Sequence, residues 1–224
     1  MKKIPKVFKI YEKLYSEFGP RHWWPAETPF EVMVGAVLTQ NTSWTNVEKA
    51  IFNLKERRSL DPESLNRIPH RKLAGLIKPS GYYNIKAKRL KSLVSFLMHN
   101  FKGDIALMRR QDLKALRKEL LLVHGIGPET CDSIMLYALD KPIFVIDAYT
   151  KRIFSRCGMV KEGVTYDELQ RLFMESLPRD VKLYNEYHAL IVRLGKEICR
   201  KTPKCNLCPI NKLCYNAKME PRNG

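Results

Sequence analysis

Leu122-Val123-His124-Gly125-Ile126-Gly127-Pro128-Glu129-Thr130 is the stretch on which the reading of this chain turns. Two glycines around one apolar residue permit a tight turn between helices. Pro128 suits the first position of the second helix, where a missing N–H is no loss. The amides of such a turn point outward. Free N–H groups at the start of a helix attract a phosphate oxygen by hydrogen bonding and partial positive charge, without reading a base sequence. Gly-x-Gly alone is equally an ordinary structural turn, so its meaning rests on its surroundings.

Those surroundings are helical nearly everywhere. Thr28-Pro29-Phe30-Glu31 supplies a cap, a proline at the first helical position and an acid at the third, ahead of the apolar Val32-Met33-Val34-Gly35-Ala36-Val37-Leu38. A buried helix is predicted there. Asp61-Pro62-Glu63 opens another in the same way, and Thr165-Tyr166-Asp167-Glu168 precedes Leu169, Leu172, Phe173 and Leu177, a helix ending at Pro178. Gly81 and Gly103 punctuate the stretch around Lys86-Ala87-Lys88-Arg89-Leu90-Lys91, whose lysines are expected to face solvent or phosphate. Only Pro142-Ile143-Phe144-Val145-Ile146 reads as a strand. It is too short to change the class, which is all-α.

A chain of 224 residues can bury a core as one large or two small domains. Forty Lys and Arg against 23 Asp and Glu give a formal charge of +17, the footprint of a polyanion partner. Nucleic acid heads that class, with a merely soluble basic surface as the alternative. No run of eighteen apolar residues occurs, so no membrane span is expected. The basic start Met1-Lys2-Lys3-Ile4-Pro5-Lys6 lacks an apolar signal region, so a cytoplasmic protein is expected, near the nucleoid in a prokaryote.

Cys199, Cys205, Cys208 and Cys214 are spaced C-x5-C-x2-C-x5-C. In a reducing compartment structural disulfides are rare, which leaves a metal centre. Zinc and a [4Fe–4S] cluster both remain open on spacing alone. Cys131 and Cys157 read as small buried apolar residues.

Gly125-Ile126-Gly127, the downstream Val145-Ile146-Asp147, Leu38-Thr39-Gln40, Gly81-Tyr82-Tyr83-Asn84-Ile85-Lys86-Ala87 and the four cysteines occur in the order seen in the endonuclease III branch of the helix-hairpin-helix DNA glycosylases. The resemblance covers residues 28 to 214. It implies a two-lobed helical enzyme, with a six-helix barrel over residues 28–139 and a discontinuous lobe of residues 1–27 and 140–224. It also implies double-stranded DNA with a damaged base as partner, bound by a monomer at the cleft between the lobes. Resemblance favours a [4Fe–4S] cluster on Cys199, Cys205, Cys208 and Cys214, although the first gap is five residues where the family usually has six.

Asp147 matches the family's catalytic aspartate, which the resemblance implies would stabilise positive charge on deoxyribose as the base leaves. The chemistry agrees, because a carboxylate near C1′ gains interaction as an oxocarbenium-like state develops. Helix capping by Asp147 is compatible with that role. Bifunctional members carry a lysine where this chain has Glu129. A carboxylate forms no imine, so a monofunctional enzyme using water, with lyase activity weak or absent, is expected.

His22-Trp23-Trp24-Pro25 and Thr39-Gln40-Asn41-Thr42-Ser43-Trp44 resemble the subgroup typified by 3-methyladenine DNA glycosylase III, which excises alkylated purines. A base pocket of Trp24, Pro25, Trp44 and Glu129 is implied. A flipped cationic purine gains from an electron-rich indole face. Gln40 matches the residue that fills the gap left by the flipped nucleotide, and Tyr82 a wedge in the opposite strand. His124, Gly125 and Gly127 are expected at phosphate, as is Lys201, with Arg200 and Lys204, in the loop the metal shapes. His188, on an apolar stretch with Leu190, Ile191 and Leu194, reads as structural. A mismatch uracil/thymine or oxidised-pyrimidine glycosylase is the alternative within the enzyme class, and a non-catalytic DNA-binding module the alternative outside it.

Overall fold

A computed structural model describes residues 5–21 and 23–215, so Met1–Ile4 and His22 of the aromatic stretch lie outside the described residues. Twelve α-helices run along them: α1 (Lys6–Phe18), α2 (Pro29–Leu38), α3 (Trp44–Glu56), α4 (Pro62–Arg67), α5 (His70–Leu76), α6 (Tyr83–Phe101), α7 (Ile105–Arg109), α8 (Leu113–Leu122), α9 (Pro128–Ser133), α10 (Ala148–Arg156), α11 (Tyr166–Ser176) and α12 (Val181–Glu197). A π-helical turn, Ile134–Ala138, continues α9. The class is all-α, as the periodicity implied. No helix among the described residues is long and apolar enough to cross a membrane.

The chain divides into two compact units, Trp24–Lys141 and the described parts of 1–23 with 142–224. In the first unit the helix signals act as read. Thr28 Oγ1 accepts the Glu31 amide at 3.1 Å, and Asp61 Oδ1 accepts that of Ser64 at 2.8 Å. Helix α2 buries residues Phe30 to Leu38 all round. Valine and glycine are poor helix formers, by up to about 1 kcal/mol each, whereas burying one Val, Leu or Met side chain returns about 1.5–3 kcal/mol. Tertiary burial therefore decides this helix. Helices α4 and α5 pack on α6, and α2 packs on the π-helical turn.

Lys86 departs from expectation. Its side chain is buried, and Nζ donates to Leu38 O at 2.7 Å and Ser80 O at 2.6 Å. The ammonium thus closes the carbonyl end of α2, where the helix dipole favours a cation. Burial, with the Arg89 charge adding to it, lowers the Lys86 pKa to about 8. Lys91 likewise bonds carbonyls, Leu65 O at 2.9 Å and Asn66 O at 2.7 Å, while Lys88 is exposed.

In the second unit α1, α11 and α12 pack together and α10 lies on α12. An aromatic group fills the core, with Phe144 stacked on Phe173 at 4.0 Å and Tyr187 edge-on to both. Tyr187 Oη donates to Val7 O at 2.7 Å, fixing α12 to α1. Thr165 and Glu168 form the full capping box of α11. The strand expected at Pro142–Ile146 does not form. Side chains satisfy this buried segment instead: Gln170 Nε2 donates to Phe144 O at 2.6 Å, and the Ile146 amide donates to Tyr166 Oη at 3.3 Å. Without a neighbouring strand its hydrophobicity alone could not make a sheet.

Candidate active site

Asp147 follows the buried segment Ile143–Ile146 and is the N-cap of α10. Oδ1 accepts from the Thr150 amide and from Thr150 Oγ1, both at 2.7 Å. Oδ2 stands 3.6 Å from His188 Nε2, with the two side chains 11% and 8% exposed. That separation is longer than a hydrogen bond and is an electrostatic pairing. Burial by itself would push the carboxyl pKa up, but His188 and the Thr150 donors outweigh it and hold Asp147 below the ordinary carboxylate value. Asp147 is therefore ionised at neutral pH. Sequence reading placed His188 among core residues. The structure buries it as expected, yet sets it against the one carboxylate singled out for chemistry, because one turn of α12 faces the start of α10. No local motif announces that pairing.

The hairpin lies in the Trp24–Lys141 unit. The Val123 amide bonds Leu120 O at 3.1 Å and the Ile126 amide bonds Val123 O at 3.0 Å, which closes the turn. Gly125 has φ +83°, and a Cβ there would run into the side-chain carbons of Arg89. Only glycine fits. The Gly125 and Gly127 amides have no acceptor among the described residues. His124 and Gly127 are exposed, as is Glu129 in the first turn of α9. Gln40 is turned to the hairpin, with Nε2 donating to Gly125 O at 3.1 Å and Thr130 Oγ1 at 2.9 Å. Tyr82 is 69% exposed just before α6, with left-handed φ +45°. A non-glycine residue held there is strained.

Trp24 and Trp44 meet edge to face at 5.3 Å, and Tyr137, from the π-helical turn, tilts against Trp24 at 5.2 Å. Trp24 also lies on α2, 3.3 Å from where a Cβ of Gly35 would be. Trp44 Nε1 donates to Glu48 Oε1 at 2.8 Å, and Pro25 is exposed. Tyr137 was missed by sequence reading, since the π-helical register shifts its face relative to an α-helix.

The four tail cysteines line one largely apolar cavity together with Cys157, Ile153 and Leu194. Two arginines of α10 hold the loop. Arg152 donates to Cys199 O at 3.0 Å and Gly195 O at 2.9 Å, while Arg156 donates to Arg200 O at 2.6 Å, Lys201 O at 2.9 Å and Cys199 Sγ at 3.5 Å. Lys201 is exposed. Among the described residues no group of three or more His, Cys, Asp or Glu is arranged to hold a metal ion. Four thiols lining one apolar space are a donor set that an iron–sulfur cluster or a zinc ion could use. Cys131 is apart from this group, its thiol pushed up to about 12 by burial.

Residues 34–179 match the family model of the HhH-GPD superfamily base excision DNA repair protein. A protein of Methanocaldococcus jannaschii, provisionally named a DNA repair glycosylase, is 49% identical over 96% of this chain and 98% of its own. The thymine/uracil-DNA glycosylase of Pyrobaculum aerophilum is 30% identical over 90% of this chain and 87% of its own. Among solved structures, the H. pylori 3-methyladenine DNA glycosylase bound to 1,N6-ethenoadenine superposes with a TM-score of 0.76 at 31% identity, over 85% of this chain and 97% of that one.

Proposed function

The chain belongs to the HhH-GPD superfamily of base excision DNA repair proteins, and from that premise we propose that it is a monofunctional DNA glycosylase acting on alkylated purines. The observation that carries the reading is Asp147, a nearly buried carboxylate held ionised and fixed in orientation by Thr150. As the N-glycosidic bond breaks, C1′ of the deoxyribose becomes cationic. A fixed anion gains more interaction with that state than with the neutral sugar and so lowers the barrier. Oδ1 is committed to Thr150. Oδ2 is the oxygen that faces the developing charge or orients the attacking water, with His188 keeping it deprotonated.

Glu129 offers no amine for a Schiff base, so water completes the reaction and the strand stays intact. Trp24 and Trp44, with Tyr137 behind Trp24, supply indole faces for a flipped cationic purine, in keeping with 31% identity to a 3-methyladenine glycosylase. Duplex DNA meets the hairpin amides, Tyr82, His124 and the basic loop of Arg200, Lys201 and Lys204. Cys199, Cys205, Cys208 and Cys214 hold a [4Fe–4S] cluster, whose service is to tie that loop into shape. The 30% identity to a thymine/uracil glycosylase favours a second reading, excision of mismatched thymine or uracil.

The test is base release from duplexes carrying 3-methyladenine, 7-methylguanine, uracil, mismatched thymine or oxidised pyrimidines. Alkylated purines should be released by the wild-type protein and not by Asp147→Asn, which keeps DNA affinity. Release of uracil or thymine alone would establish the second reading. Efficient borohydride trapping of protein on DNA would overturn the monofunctional assignment.

A further inference from the structure

Lys86 Nζ holds two carbonyls from separate parts of the Trp24–Lys141 unit, Leu38 O at 2.7 Å and Ser80 O at 2.6 Å. Each carbonyl precedes a segment that turns outward. Leu38 ends α2 and runs into Thr39-Gln40-Asn41, whereas Ser80 runs into Gly81-Tyr82 ahead of α6. Gln40 and Tyr82 thus each stand two residues beyond a carbonyl fixed by the same ammonium. Both segments also carry an exposed, left-handed tip: Asn41 has φ +54° and Tyr82 φ +45°. That region costs a non-glycine residue about 1–3 kcal/mol, least for asparagine, and persists only where the surroundings impose it. Helix α6 supplies the hold. The Lys86 amide donates to Tyr82 O at 2.9 Å, so backbone and side chain of one residue grip the Ser80–Tyr82 turn, and Arg89 on the next turn donates to Gln40 Oε1. Water at the end of α2 would satisfy Leu38 O without desolvating a charge, yet Lys86 is only 1% exposed. What the buried ammonium adds is a rigid link between two segments.

We propose that Lys86 is the positioning residue that sets Gln40 and Tyr82 in register with one another, so that both enter the duplex together as a base is extruded. This rests on the reading of those two residues as the ones that fill the gap and wedge the opposite strand, and it names the group that aligns them. Removal of the ammonium leaves Leu38 O and Ser80 O without their donor, and the two segments relax independently. Tyr82 then leaves its left-handed conformation and its ring moves. The hairpin amides that meet undamaged duplex lie outside this link. The loss therefore falls on the extruded state and not on duplex binding as such.

Wild type, Lys86→Met, Lys86→Arg and Val94→Ala, a buried α6 position that serves as the stability control, are compared on two duplexes. One is undamaged, and the other carries an abasic-site analogue flanked by 2-aminopurine. Unstacking by an inserted side chain raises the 2-aminopurine fluorescence, which is read at saturating protein so that affinity does not enter. Lys86→Met should lose more than about half of that rise and bind the abasic duplex about tenfold more weakly, with undamaged duplex changed by less than about twofold. Base release should fall in kcat with KM little altered. Lys86→Arg, which keeps a charged donor, should recover most of the rise, and Val94→Ala should keep all of it. Where Lys86→Met does not fold, Lys86→Gln, which keeps a donor on a stem too short to bridge both carbonyls, carries the same expectation. A wild-type rise that survives in Lys86→Met, or is lost equally in Val94→Ala, would overturn the proposal. Equal weakening of both duplexes would overturn it too, as a general loss of structure. No rise with the wild type would sink the reading of Gln40 and Tyr82 on which the proposal stands.

Discussion

Asp147 Oδ2 and His188 Nε2 stand 3.6 Å apart, each side chain nearly buried, at the N-cap of α10 and on α12. Burial acting alone would raise the carboxyl pKa, and the net direction is downward, so the histidine and Thr150 dominate. The folded value lies below the unfolded one, about 3.9. The stabilisation is then complete above that unfolded value and is lost as pH falls through the folded pKa.

The same sign sets the activity profile. Base release by the wild type should keep its plateau down to the ordinary aspartate range. His188→Gln removes the imidazole that faces Oδ2 and leaves burial less opposed, which should move the acid limb up. Activity at pH 8 and DNA affinity should change little. A pH–rate profile of kcat for both proteins decides it, and superimposable acid limbs would remove His188 from the mechanism.

Trp24 and Trp44 should separate by stability. Trp24 packs on Gly35 and Tyr137 but is only half-buried, so Trp24→Ala should cost about 1–3 kcal/mol by denaturant unfolding. Trp44 is half-buried, and its alanine variant should unfold close to wild type while losing alkylbase release. Full release by Trp44→Ala would exclude it from the base pocket.

Lys86→Met should lower stability at pH 7 by about 1–3 kcal/mol, because Leu38 O and Ser80 O lose their donor. Between about pH 8, where folded Lys86 titrates, and about 10.4, where the unfolded lysine does, the unfolded state holds more protons and the wild type gains stability as pH rises. The methionine variant has no such gain, so the gap should widen with pH. Thermal unfolding at pH 7, 8.5 and 10 measures it, and a gap that narrows would contradict the assignment.

Serine at Cys199, Cys205, Cys208 or Cys214 should abolish bound iron and acid-labile sulfide, whereas Cys131→Ser should retain both. Iron-free protein should bind duplex weakly before its chemical step changes, since Arg156 and the cysteines shape one loop. Zinc at one equivalent with no sulfide would show a different metal.

Local rules act over a few residues, so the amino-acid order alone determined what is local. Thr28, Asp61 and Thr165 cap the helices they precede, Pro128 opens α9, and the glycine turn forms where it was read. The five motifs in register likewise pointed to the family that the match over residues 34–179 shows. Tertiary structure decided the rest. Phe144 and its neighbours are apolar enough for a strand, yet helix side chains satisfy them. Lys86 looked solvated beside Lys88, until packing put it at the end of α2. His188, Gln40 and Arg89 carry no sequence signal for their partners, because those partners lie on other helices and only the docking of helix on helix brings their polar groups within reach.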